Sequence, residues 1–101
     1  MDIKEVEEKI MNFSKKRAKA KQFDLTPELS YIHLVEELGE IAKQIYNEKA
    51  RRDLFDKDNL KEEIVDVILE AIVLANLCKV DLDKEIEGKI KALFEKHEFS
   101  E

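Results

Sequence analysis

Tryptophan is absent from this 101-residue chain, cysteine and proline occur once each, and glycine twice. Each scarcity excludes something. Cys78 is the single thiol, so the chain can close no disulfide on itself and build no CxxC-type zinc cage. Sheet proteins need turn formers about every 8–12 residues, and two glycines and a proline cannot supply them. That leaves an all-α expectation. No apolar run suits a signal peptide or a membrane span, the amino-terminal MDIKEVEEKI least of all; a soluble, cytoplasmic protein with no membrane partner is expected. Basic residues (18) are outnumbered by acidic ones (24), for a net charge of −6, which argues against a nucleic-acid polymer as partner. A small polyanion is not excluded, because a bound cation inverts the local field.

What is present reads as one globular domain over 1–101, with 44% hydrophobic residues. Ile3, Val6, Ile10 and Phe13 make one apolar stripe on a first helix. Lys15, Lys16, Arg17, Lys19 and Lys21 then crowd into seven residues. They are either a solvated helix end whose cations suit the dipole or phosphate contacts. Thr26-Pro27-Glu28 is a helix start, and the helix that follows, to about Asn47, carries Leu34, Leu38, Ile41 and Ile45 on one stripe. Residues 47–58 hold eight charges in twelve positions and read as a connection with a short helical turn near Leu54 and Phe55. Asn59 and Glu62 have capping-box spacing. From Ile64 to Leu77 the chain is apolar almost all round, so this third helix is expected to be buried on every side. One small domain covers such a helix poorly, which points to a subunit interface. A turn at 79–83, capped by Asp81 or Asp83, leads to a last helix with Leu82, Ile86, Ile90, Leu93 and Phe94 inward. The expected fold is a four-helix bundle-like protomer that assembles through its helices into a dimer or tetramer.

The informative residues are acids in unusual places. At about 100° per residue, Glu37 and Glu40 share a face of the second helix, with His33 and Gln44 on the same stripe at the edge of the core, while Glu36 turns towards solvent. Glu63, Asp66 and Glu70 share a face of the third helix, and Asp66 and Glu70 interrupt its apolar run. A buried carboxylate without a partner costs several kcal/mol or stays protonated. No Lys or Arg lies between Lys61 and Lys79, so compensation must come from another helix or from an ion. A site rich in carboxylate oxygen selects Mg²⁺, Mn²⁺ or Ca²⁺ over zinc. An ordinary exposed helix face explains Glu37 and Glu40 as well; it does not explain Asp66.

The sequence Glu36-Glu37-Leu38-Gly39-Glu40, then twenty-two residues, then Glu63-Ile64-Val65-Asp66 resembles the EExxE…ExxD motif of the all-α nucleotide pyrophosphohydrolases, the MazG-like and dCTP pyrophosphatase-like enzymes. The similarity runs from about Thr26 to Lys89, through TPELSYIHLVEELGEIAKQI, EEIVDVILEAIVLA and the CKVDL turn. It implies Mg²⁺, with Mn²⁺ a substitute, held by Glu37, Glu40, Glu63 and Asp66, with Lys89 as a phosphate contact and a homodimer or homotetramer as the assembly. The chain departs from relatives that stack the base on tryptophan, and Glu70 stands where some carry tyrosine. Leu93 and His97 occupy the positions of the family's common Asn and aromatic residues.

The reaction implied is hydrolysis of a (deoxy)nucleoside triphosphate to monophosphate and pyrophosphate by a metal-activated water, a nucleotide-pool house-cleaning activity. Glu36 or Glu62 would accept the water's proton. Arg17, Lys19, Lys21, Arg51 and Arg52 are further phosphate candidates; Phe23, Tyr31, Tyr46 and Phe55 are base-stacking candidates, although such aromatics more often serve the core; His33 either approaches substrate or packs. Gly39, mid-helix, is expected to serve close packing or to leave room for a metal, and Cys78 to be a small buried hydrophobe. Two other functions fit the acid pattern: phosphoribosyl-ATP pyrophosphohydrolase, and a helical oligomerisation or nucleotide-sensing module without catalysis.

Overall fold

A computed structural model describes residues 1–101 as four α-helices and no strand: α1 (Ile3–Lys21), α2 (Pro27–Ala50), α3 (Lys57–Leu77) and α4 (Leu82–Lys96), with one 3-10 turn at Arg52–Leu54. Local chemistry sets the ends. Asp2, Thr26, Asp56 and Asp81 each accept a hydrogen bond from the backbone N–H three residues on, and so cap the four helices. Pro27 takes the first position of α2. The cap of α3 is therefore Asp56, and Asn59 lies one turn inside, its side chain free for another use. Gln22 and Lys79, after α1 and α3, adopt left-handed backbone at φ 59° and 60° without being glycine. Two arginines of the connection are held locally: Arg51 pairs with Asp53 at 3.2 Å and Arg52 donates to the Glu48 carbonyl.

Helix α3 is the hub. It packs against α2, α1 and α4, whereas the backbone of α2 stays clear of both α1 and α4. The apolar core at the junction is small: Met11 and Ala18 from α1, Ile72 and Val73 from α3. The inward face of α1 is centred on Met11, Ser14 and Ala18; Ile3, Val6 and Ile10 of the expected stripe are half-buried beside them, and only Phe13 departs, exposed beneath the Arg17 guanidinium at 5.5 Å. The buried residues of α2 are Ser30, Gln44 and Asn47, while Leu38 and Ile45 face outward. Burying Gln44 is tolerated because its Oε1 accepts from the Asp56 N–H at 3.1 Å, tying α2 to the start of α3.

The third helix is not enclosed on every side within the chain. Ile64, Val65 and Ile68 are exposed, Ile68 to 54%, and so are Ile86, Ile90 and Leu93 of α4. The accessible surface is 7995 Å², against about 6,000 Å² for a folded monomer of this mass. The radius of gyration is 16.5 Å, against about 13 Å for a compact domain of this length. Tyr31, Tyr46 and Cys78 are also exposed, so none of them is the core residue the sequence allowed. No helix is long and apolar enough to cross a membrane.

Gly39 has no close neighbour: a Cβ built there meets nothing within 4 Å, which removes close packing inside the chain as its reason. Gly39→Ala should therefore leave the isolated chain as stable or raise its stability by up to about 1 kcal/mol, as read by denaturant unfolding. A loss of stability would show that another body packs against α2 at this point.

Candidate active site

The α2–α3 pair brings the acid motifs together. Glu63, one turn and a half into α3, is buried at 7% exposure, on the side that meets α2. Burial pushes its carboxyl up from the ordinary value, and the charges of Glu40, Glu37 and Asp66 push the same way; the hydrogen bond from Asn59 opposes them. The other three motif acids therefore all act on Glu63. Asn59 Nδ2 donates to Glu63 Oε1 at 2.7 Å, and Glu63 Oε2 is buried with no partner at all. Glu37 is half-buried, and Glu40 and Asp66 are exposed. The expectation that Asp66 would be an acid inside the core is thus corrected: it is 60° round the helix from Glu63 on an ideal wheel, and that angle carries it to the rim. No three His, Cys, Asp or Glu side chains converge closely enough to enclose an ion.

The other acid in the apolar run, Glu70, is solved differently. It is buried, and help comes from two other helices. Ser30 Oγ donates to Oε1 at 3.0 Å, His33 Nδ1 lies 3.1 Å from Oε2, and Arg17 reaches the same oxygen from α1 at 4.0 Å. His33 Nε2 in turn lies 3.1 Å from Glu37 Oε1, one turn along α2. Both ring nitrogens face carboxylate oxygens, and both can donate only when both carry a proton.

Beside this network lies a cavity of about 320 Å³ between α1, the 22–26 connection, α2 and α3. Arg17, Phe23, His33 and Glu36 line it together with Glu70, Ser30 and an apolar wall that includes Leu25 and Ile32. Three of the expected substrate contacts, Arg17, Phe23 and His33, are therefore gathered in one place, with the expected base Glu36 at its edge. The remaining site candidates are not. Lys21 is exposed in the last turn of α1 and does not line the cavity; Glu62 is exposed on α3; Lys89 is exposed on α4, which does not touch α2. The sequence alone does not single out Ser30, and it presents Asn59 only as a helix cap, not as the partner of Glu63. Ser30, His33 and Glu37 fall at i, i+3 and i+7, one polar face of a helix, and that spacing was the signal available.

Fold and site together define a small all-α protein that sets a cluster of carboxylates beside a partly apolar cavity. The chain matches the MazG nucleotide pyrophosphohydrolase domain over residues 25–99, and it belongs to that family. Among curated proteins it is similar to the uncharacterized protein YpjD of Bacillus subtilis (strain 168), with 37% identity over 54 residues. The match takes in 50% of this chain and 49% of that relative, so the chain aligns with about half of YpjD's length. No solved structure matches the chain.

A carboxyl raised in the folded state holds a proton that the unfolded chain has already released. The Glu63 contribution to stability is thus intact below the unfolded value and is lost as pH rises through the folded one. In chelator-treated protein, Glu63→Gln should melt at the wild-type temperature under acidic conditions and above it at neutral pH, with a flatter pH profile. A variant less stable than wild type at neutral pH would show that the ionised carboxylate has a cation partner within the chain.

Proposed function

We propose that this chain hydrolyses nucleoside triphosphates to monophosphate and pyrophosphate, with Mg²⁺ or Mn²⁺ held by Glu37, Glu40, Glu63 and Asp66. The observation that carries the reading is the unpartnered, buried Oε2 of Glu63, in a carboxyl pressed by three neighbouring acids. Asn59 serves only the other oxygen, Oε1, and a divalent cation coordinated by oxygen would answer Oε2. When bound, the ion supplies Lewis-acid activation of a water and offsets the charge gathering on the departing pyrophosphate.

The chain's own side chains supply the rest. Arg17, at the cavity wall, is placed to hold a phosphate oxygen or the sugar end of the substrate. Phe23 and the apolar wall take the flat face of a base. Glu36 lines the cavity and Glu62 does not, so Glu36 is the better placed to take a proton from the attacking water. No covalent intermediate is invoked: the serine beside these acids, Ser30, is taken as the anchor of Glu70, to which its hydroxyl donates at 3.0 Å.

The same reading includes assembly. The surface in excess of a compact monomer is about 2,000 Å², more than the roughly 800 Å² that each partner contributes to a standard interface. Exposed Val65, Ile68, Ile86 and Ile90 supply its apolar centre. We take a second copy of this chain as the occupant, as a dimer or within a tetramer, and residues 1–101 as one domain, since α1 packs on α3. A phosphate contact from Lys89 belongs to this reading only across such an assembly.

A hydrolysis screen over ribo- and deoxynucleoside triphosphates, scoring pyrophosphate apart from phosphate, should show Mg²⁺-dependent pyrophosphate release. Asp66→Asn should lower it by more than about 100-fold, beyond the loss usual for a group that only supports a ligand. Absence of pyrophosphate from every nucleotide, with folded protein and Mg²⁺ present, overturns the proposal. In sedimentation, Ile68→Asp should shift the wild-type oligomer towards monomer; a wild-type chain that sediments as a monomer at all concentrations refutes the assembly.

A further inference from the structure

The chain of contacts Ser30–Glu70–His33–Glu37 has a job beyond satisfying a buried acid. Glu37 and His33 are neighbours one turn apart on α2, and such a pair on its own is a weak, mobile contact. Here the ring is held from behind. Glu70 approaches from α3, buried and unable to reorient: Ser30 occupies Oε1 at 3.0 Å, and Oε2 faces His33 Nδ1 at 3.1 Å. With Nδ1 engaged, the plane of the imidazole is set and Nε2 is delivered to Glu37 Oε1 at 3.1 Å. One oxygen of Glu37 is thereby taken, and the other is left for a cation.

We propose that Glu70 is a positioning residue which, anchored by Ser30 and acting through His33, holds the Glu37 carboxylate in the orientation that receives the divalent ion. The proposal rests on the metal role given above to Glu37. It assigns to Ser30, His33 and Glu70 the part that outer hydrogen-bond partners play around metal ligands in general, where their loss costs about 10- to 100-fold in metal affinity. It also gives Glu70 a reason to be a carboxylate in a helix that otherwise buries apolar side chains: a neutral apolar group at this position would leave Nδ1 of His33 without its acceptor. The adjoining cavity shares Glu70 and His33 as lining, so the same network forms the wall between the space for a nucleotide and the acid cluster.

The test is Mn²⁺ binding to the full chain without nucleotide, followed by electron paramagnetic resonance, beside steady-state kinetics. Glu70→Gln keeps an oxygen acceptor and the volume of the side chain but removes its charge and one acceptor atom. It should bind Mn²⁺ about 10-fold or more weakly than wild type, need correspondingly more metal for half-maximal turnover, and keep the nucleotide KM within about twofold once metal is saturating. Ser30→Ala, which frees the Glu70 anchor without touching the ring, should move metal affinity in the same direction by a smaller factor; it carries the test if Glu70→Gln does not fold. Metal affinity unchanged in the folded variants overturns the proposal, and so does a raised nucleotide KM with unchanged metal affinity, which would make Glu70 a substrate contact instead. Glu63→Gln and Asp66→Asn belong in the same titration. If these lose Mn²⁺ while Glu70→Gln keeps it, only the positioning role falls; if they too bind as wild type does, the acid cluster is not the metal site and both readings fall together.

Discussion

Every other α-helix meets α3, and of the three pairs among those others only α1 and α4 meet: the backbone of α2 stays clear of both. One helix therefore has to serve as the core's floor, the site's wall and the only bridge across the molecule. That constraint explains its composition. Ile72 and Val73 close the apolar junction with Met11 and Ala18 of α1, while Glu63 and Glu70 point into the same interior at two-turn spacing. Lengthening or rotating α3 to improve one of these duties would spoil another.

The two buried carboxylates show the two general solutions to one electrostatic problem. Glu70 is surrounded by a hydroxyl, an imidazole and a guanidinium drawn from α1 and α2, so the fold itself neutralises it. Glu63 receives a single amide from Asn59 and otherwise meets only acids. A carboxylate left in that condition costs stability unless it is protonated or meets a cation. The contrast between a satisfied acid and a frustrated one, seven residues apart on one helix, shows in their partners and not in their exposure, which is nearly the same.

The helices and two of the four caps could be read from the sequence, because capping chemistry and periodicity are local. Thr26-Pro27 starts α2 and Asp81, one of two acids that could cap α4, starts that helix, whereas Asp56 and not Asn59 caps α3. What could not be read is how far each helix rolls about its axis. The Phe13 stripe and the Leu38–Ile45 stripe are real periodicities, yet the chain turns Ser14 and Ser30 inward and leaves Phe13, Leu38 and Ile45 outside. Periodicity identifies an apolar face without saying whether its cover comes from the same chain. The same ambiguity moved Asp66 from the expected interior to the rim and left the role of Glu70 invisible, since its partners lie 40, 37 and 53 residues away in sequence.

The uncovered faces of α3 and α4 sit on a chain that carries six net negative charges. These two properties act over different ranges. Charge repulsion between like chains extends about one Debye length, roughly 10 Å at 0.1 M ionic strength and about 30 Å at 0.01 M, while apolar burial acts only at contact. If copies of this chain meet through those faces, as proposed above, dissolved salt would act as a control: dilute buffer would oppose the contact and added electrolyte would favour it.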